Sequence, residues 1–184
     1  EKSKTREALL DSVERLLVEE GYVGVTYRGL AAKAGVTASL VQYYFPTLDS
    51  IFTAMIRRLI EVDVARWSEA FTERPDEPLR ILWERSWGQV AGAFGMELMA
   101  LGNRRPALRA EIAAGTERIR EVQLAALKAR YGDRDLLDGR FSPEAMVLLL
   151  TSMPKYLSLE DGIPLTMAHA PLIEAFEGYL DSVE

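Results

Sequence analysis

The chain has 184 residues, 48% of them hydrophobic and 27% charged, the composition of an ordinary globular protein long enough to bury a substantial core in one or two domains. With no cysteine it has no disulfide, cysteine nucleophile or thiolate metal site, and one histidine, His169, leaves no histidine-rich metal site. The net charge of −6 weighs mildly against a nucleic-acid partner; no run approaches the roughly 18 apolar residues of a membrane span; and the charged opening EKSKTREALL lacks the apolar region of a signal peptide, so the cytoplasm is the expected location.

Lys4 to Glu20 reads as an amphipathic helix, with Leu9, Val13, Leu16 and Leu17 at i, i+4, i+7 and i+8. Gly21 is expected to end it, and Tyr22, Val23 and Val25 to pack the link. Thr26 is a good N-cap for a second helix, because its hydroxyl accepts an otherwise unpaired backbone N–H. That helix carries a small apolar face of Leu30, Ala31 and Ala34. Gly35 stands where the chain must leave it with positive φ, which costs glycine little. Val36 fills the corner, and Thr37 caps a third helix running to about Tyr44. Leu40, Val41 and Phe45 face inward on it; Ser39, Gln42 and Tyr43 face out. Pro46 stops it, since proline cannot continue the hydrogen-bond ladder and restricts the residue before it.

Helix, glycine-containing turn and second helix make the helix-turn-helix pattern, whose second helix enters the DNA major groove. The run AAKAGVTASLVQYYFPTLDSIF resembles the signature of the TetR family of transcriptional regulators. It has an Ala-x-x-Ala-Gly-Val turn, a recognition helix closed by Tyr-Phe, then proline and an acidic residue opening the next helix. The resemblance implies an all-α fold of about nine helices: a three-helix head over residues 1–47 that binds DNA, and a body over residues 48–184 that binds ligand and dimerises. It also implies a dimer on a palindromic operator, since two recognition helices about one DNA turn apart read a palindrome.

A fourth helix is expected from Thr47 to Thr72, with Ile51, Phe52, Met55, Ile56, Leu59, Ile60 and Val64 as a wide apolar stripe followed by Trp67 and Phe71. Its N-terminal N–H groups lie beside the recognition helix and suit a DNA phosphate. In the family a lysine often stands where this chain has Leu48, a departure that weakens the expected affinity or moves the contact onto backbone N–H groups. ERPDEP, residues 73–78, is the clearest break. Further helices are read over Leu79 to about Phe94, Met96 to Asn103, Pro106 to Tyr131, Ser142 to about Leu159, and Leu165 to Val183. Asp133–Gly139 is a polar loop, and Ser142-Pro143-Glu144 a helix start with serine as cap and proline at the first helical position.

The candidate DNA-binding residues are Tyr27, Arg28, Thr37, Ala38, Ser39, Gln42, Tyr43, Tyr44 and Leu48. Gln42 is built to pair bidentately with adenine, and Arg28 to read guanine or hold a phosphate. Thr37, Ser39 and the tyrosine hydroxyls suit phosphate oxygens, which position rather than specify; Ala38 suits a thymine methyl. Residues 1–50 carry six basic side chains (Lys2, Lys4, Arg6, Arg15, Arg28, Lys33) against seven acidic ones (Glu1, Glu7, Asp11, Glu14, Glu19, Glu20, Asp49), so the faces they occupy decide the matter. The expectation is that Lys2, Lys4, Arg6, Arg28 and Lys33 flank DNA while Glu14, Glu19 and Glu20 turn away.

In the body, Trp67, Trp83, Trp87, Val90, Phe94, Ile119, Gln123, Met153 and Tyr156 are the candidate ligand-binding residues, with Gln123 and Tyr156 as polar anchors for a mostly apolar small-molecule effector. Trp83, Trp87 and Val90 share one helix face. Helices 142–159 and 165–183 are expected to form the homodimer interface. The run Ala145–Leu150 is apolar all round, and Ala168, Leu172, Ala175, Phe176 and Tyr179 give the last helix an apolar stripe. No nucleophile elbow, phosphate loop, dinucleotide fingerprint or metal-ligand spacing is present, so neither an enzyme nor a bound cofactor is expected. The rival reading is a helical small-molecule-binding or scaffold protein that has lost DNA binding. It draws on the acidic head, the Leu48 departure and the absence of arginine inside the recognition helix.

Overall fold

The computed structural model describes the backbone of residues 2–160, 163 and 165–184, and the side chains of these except residues 2–3, 89–94 and 97. Among the described residues the regular elements are nine α-helices: α1 (Lys2–Gly24), α2 (Tyr27–Ala34), α3 (Ala38–Tyr44), α4 (Leu48–Glu73), α5 (Pro78–Arg85), α6 (Gln89–Arg104), α7 (Pro106–Tyr131), α8 (Pro143–Glu160) and α9 (His169–Val183). The all-α expectation holds, and no described helix is long and apolar enough to cross a membrane.

The element boundaries differ from the sequence reading in three places. Gly21 kinks α1 rather than ending it, because its φ of 69° interrupts the helix for one residue before a last turn reaches Gly24. The break in the middle of the chain falls at Ser86–Gly88, not at Gly95: Gly88 takes φ 130°, a region nearly closed to other residues, while Gly95 lies inside α6. The last helix starts at His169, after Ala168 at φ 66°. Asp161, Gly162 and Pro164, between the helices read to about Leu159 and from Leu165, lie outside the described residues.

The chain divides into two compact units: Glu1–Val62 with Phe94–Thr116, and Asp63–Ala93 with Glu117–Glu184. In the first, the apolar face of α1 (Leu9, Leu10, Val13, Leu16, Leu17) is buried with Leu30, Val41, Phe45, Ile51, Phe52, Met55 and Ile56. Each such side chain, fully buried, contributes about 1.5–3 kcal/mol. Arg58 on α4 ties down α1 by reaching Glu7 (3.3 Å), Asp11 (2.7 Å) and Glu14. The first part of α7 lies close on α4, where a side chain at Gly115 would meet Ile60 and Arg57 forms a two-bond pair with Glu111 at 2.8 Å. Arg105 pairs with Asp49 at 2.6 Å and sits over the Phe52 ring.

The second unit is built on Trp67, Phe71, Leu79, Ile81, Leu82, Trp83, Leu127, Tyr131, Met146, Val147, Leu150 and Leu180. Glu184 closes one end of it. Its carboxylate accepts the N–H groups of Leu79 (3.0 Å) and Arg80 (2.8 Å) in the first turn of α5, and the Tyr131 hydroxyl at 2.6 Å. A carboxylate there meets both unpaired donors and the positive end of the helix dipole. Pro154 interrupts the ladder inside α8, where its ring nitrogen has no proton for the Leu150 carbonyl.

Candidate functional site

The head is set by its caps. Thr26 takes an extended conformation and its Oγ1 accepts the Gly29 N–H at 3.0 Å, starting α2. Gly35, at φ 67° and ψ 32°, turns the chain out of α2 while the Val36 N–H reaches back to the Ala31 carbonyl at 2.9 Å. Thr37 then caps α3 by accepting the Leu40 N–H at 3.3 Å. With Val41 and Phe45 buried, the opposite face of α3 is fixed outward by helix geometry.

Arg28, Thr37, Ser39, Gln42 and Tyr43 are exposed, whereas Tyr27, Ala38, Tyr44 and Leu48 are half-buried. Tyr43 and Tyr44 meet edge to face, their centroids 5.3 Å apart. Two of the candidate hydroxyls already have structural work. Tyr27 Oη donates to the Phe45 carbonyl at 3.0 Å, tying the start of α2 to the end of α3, and Thr37 Oγ1 lies 3.0 Å from Ser39 Oγ besides capping the helix. Leu48 opens α4, where Thr47 Oγ1 accepts the Ser50 N–H at 3.0 Å and Ser50 Oγ the Thr47 N–H at 3.2 Å. This reciprocal cap leaves the leucine with no polar duty.

Pairing, not the count of charges, explains how an acidic head presents this face. Glu7, Asp11 and Glu14 are bound to Arg58, Asp49 to Arg105, and Glu19 to Lys33. The last pair means that Lys33 is neutralised within the head instead of standing free beside DNA. Arg6 lies over the Phe45 ring at 5.3 Å, and Lys4 and Arg28 are exposed; the Lys2 side chain lies outside those described.

In the second unit the structure brings five of the body candidates to one cluster. Trp67 and Trp83 are part of the core, and Trp87, Ile119 and Met153 are packed against it half-buried. Trp83 is fully buried, stacked on Phe176 at 5.4 Å and edge-on to Trp87 at 5.2 Å, with its indole N–H donated to Glu177 Oε1 at 2.6 Å. Gln123 is buried on α7. Val90 and Phe94 lie on α6 with side chains outside those described. Tyr156 is 62% exposed and, with Ser152, Met153, Leu157 and Leu172, lines an open groove of about 300 Å³ on α8 and α9. A second groove, of about 240 Å³, runs over Phe71, Pro75, Val122, Ala126 and neighbouring residues.

A charged group in this unit escaped the sequence reading: Asp63 and Arg66 on α4, Arg85 on α5, Arg120 on α7 and Lys155 on α8. Asp63 is open to water, yet burial is the leading cause that holds its carboxyl above the ordinary range, against the fields of Arg66, Lys155 and Arg85. Burial likewise pulls the Lys155 ammonium below the ordinary range, opposed by Asp63 and reinforced by Arg120. The available signal was Lys155 itself, the single charged residue in the apolar run from Ala145 to Leu157.

A capped helix-turn-helix with an outward polar face on its second helix, followed by further helices, is the architecture found in helix-turn-helix transcriptional regulators. Residues 9–55 match the family model of bacterial regulatory proteins of the tetR family. The fold is shared with a TetR transcription regulator from Haloarcula marismortui at 19% identity, covering 98% of each chain with a TM-score of 0.73. The multidrug binding protein EbrR complexed with imidazole is 27% identical over 85% of each chain, TM-score 0.62; in its complex with malachite green it is 25% identical over 97% of this chain and 95% of that one, TM-score 0.62. No curated protein sequence matches the chain. The head thus matches the tetR family of bacterial regulatory proteins, and the chain shares its fold with a TetR transcription regulator.

Proposed function

We propose that the protein is a ligand-responsive repressor that binds a palindromic operator as a dimer, with residues 1–47 as the DNA-binding domain and residues 48–184 as the ligand-binding and dimerisation domain. The observation that carries this reading is the exposed Ser39–Gln42–Tyr43 face of α3, free of the carboxylates of α1 that Arg58 and Lys33 hold. Gln42 and Arg28 read bases, Ser39 and Tyr43 hold phosphates, and Thr37 and Tyr27 act mainly by holding α2 and α3 in register. The two copies meet through α8 and α9. Support for this is the half-exposed Leu148 and the Met153–Tyr156–Leu172 groove, an apolar face that a second copy of the same helices would cover.

An effector in the body fits the likeness to EbrR, which has been seen with imidazole, proflavin and malachite green. Effector binding shifts the dimer toward an arrangement whose two heads no longer match the half-site spacing, which requires the effector to bind that arrangement more tightly. Selection of random duplexes by the purified chain tests the proposal. A palindromic consensus is the expected result, with Gln42→Ala relaxing preference at one symmetric position by about 1–3 kcal/mol of discrimination. No enrichment at low salt from a confirmed dimer would refute DNA reading and favour the scaffold alternative.

A further inference from the structure

Arg6 on α1 stands against the far end of the recognition helix. Its guanidinium lies over the ring of Phe45, 5.3 Å from the centroid, and Phe45 closes α3. The ring is buried and its residue is fixed from two sides: the Tyr27 hydroxyl donates to the Phe45 carbonyl at 3.0 Å, and the Phe45 N–H to the Val41 carbonyl at 2.9 Å. The arginine side chain, by contrast, is 43% exposed. A guanidinium carries its five N–H donors in its own plane, so a ring can hold the group by its face without consuming them. Among the described residues its ion pair is with Glu7 at 3.6 Å, and Glu7 is shared, its other oxygen lying 3.3 Å from Arg58. Arg6 can therefore leave that pair without orphaning a carboxylate. The corner where α3 meets α4 has no positive charge of its own: from Phe45 to Ile56 the one charged residue is Asp49, and Arg105 holds it at 2.6 Å.

We infer that Arg6 is a phosphate-contact residue: braced on Phe45, its guanidinium donates to a phosphate oxygen of the DNA that α3 reads. The inference rests on the reading of the head as a DNA-binding domain and extends its contact surface to α1. Length supports the placement. The seven residues of α3 span about 10 Å and the major groove is about 12 Å wide, so a side chain beyond either end of the helix comes within reach of the sugar–phosphate wall. Thr37 and Ser39 stand at one end and Arg6 at the other. Charge supports it too. Glu7, Asp11 and Glu14, spaced i, i+4 and i+7 along α1, are all drawn to Arg58 on α4, which leaves Arg6 as the charge that α1 turns toward α3. An arginine already held by a ring loses less side-chain freedom on meeting phosphate than a lysine in the open, which suits a contact that positions the recognition helix without reading sequence.

The test is the salt dependence of binding to a fluorescein-labelled, random-sequence duplex, followed by anisotropy on the full chain from about 50 to about 200 mM potassium chloride. Each phosphate contact adds about 0.9 to the steepness with which log affinity falls against log salt. Arg6→Met is expected to reduce the slope by about 0.9 per bound head and to lower affinity at least threefold, whereas Arg6→Lys keeps the slope. Arg15→Met is the control for charge alone, since Arg15 is exposed and lies nine residues on, about two and a half turns, and so on the opposite side of α1. It should leave the slope as in the wild type. Methionine keeps an apolar contact with the Phe45 ring, and a melting temperature within a few degrees of wild type verifies the fold; Arg6→Gln gives the same readout if Arg6→Met fails. A slope unchanged in Arg6→Met, even with weaker binding, makes Arg6 a brace for α3 and overturns the inference, as does an equal loss of slope in Arg15→Met. If the wild type binds with a salt slope that Arg6→Met shares, only the contact is refuted; if the wild type shows no salt-dependent binding, the DNA-binding reading falls and the contact with it.

Discussion

Gly115 on α7 has almost no room for a side chain: a Cβ built there falls 1.8 Å from Ile60 Cδ1 and 2.6 Å from Ile60 Cγ1. Two effects oppose each other when Gly115 becomes Ala. Helix propensity favours alanine by about 1 kcal/mol, and overpacking costs about 1–3 kcal/mol. A separation of 1.8 Å places the cost at the upper end, because both outer carbons of a side chain only 8% exposed must move. Gly115→Ala alone is therefore expected to destabilise by about 2 kcal/mol, or roughly 4–8 °C in melting temperature for a chain of this size. Ile60→Ala alone leaves a cavity and costs about 3 kcal/mol, within the usual range for buried isoleucine. In the Ile60→Ala background the obstacle is gone and only the propensity gain remains, so Gly115→Ala should then stabilise by about 1 kcal/mol. The sign of one substitution reverses with its background, a coupling of about 3 kcal/mol between residues in contact. Urea unfolding of the four proteins measures it. The same sign in both backgrounds, or additivity within about 0.5 kcal/mol, would refute the close α4–α7 approach.

Arg58→Met should lower stability by roughly 1–2 kcal/mol after allowance for screening, since its partners Glu7 and Asp11 are about half exposed. The loss should shrink in 1 M salt, and a thermal melt that ignores both the substitution and the salt would contradict the clamp on α1. The Lys128 ammonium, 2.9 Å away, together with backbone and Ser142 hydrogen bonds, holds the Glu144 carboxyl down at about 2, below its ordinary 4.5. Because the folded value is depressed, that contribution is present above pH 4.5 and is lost as pH falls toward about 2. The stability gap between wild type and Glu144→Gln should close over that window, and a gap independent of pH would count against the pair. Leu148→Arg, at a position 48% exposed on α8, should leave the helical signal intact while sedimentation shows a monomer and operator affinity falls at least tenfold; a dimer that survives would move the interface elsewhere.

The head was legible from sequence because its determinants are local. Thr26, Gly35, Thr37 and Pro46 act on backbone atoms within four residues of themselves, so caps, turn and the outward face of Gln42 follow from spacing alone. Helix ends governed by a choice among glycines were not legible. Gly21, Gly88 and Gly95 are equivalent in sequence, yet Gly21 and Gly88 take a positive φ and Gly95 does not. The acidic balance of the head misled, since Arg58 lies 44 residues beyond Glu14 and Lys33 lies 14 beyond Glu19. Aromatic residues of the body were picked out by type, but type does not say whether an indole is sealed in the core, as Trp83 is, or only half-buried against it, as Trp87 is. The charged group around Lys155 joins four helices from Asp63 to Lys155, and only tertiary structure sets charges so far apart in sequence within one another's field. Short-range hydrogen bonding wrote the helix-turn-helix into consecutive residues; long-range electrostatics and packing decided the rest.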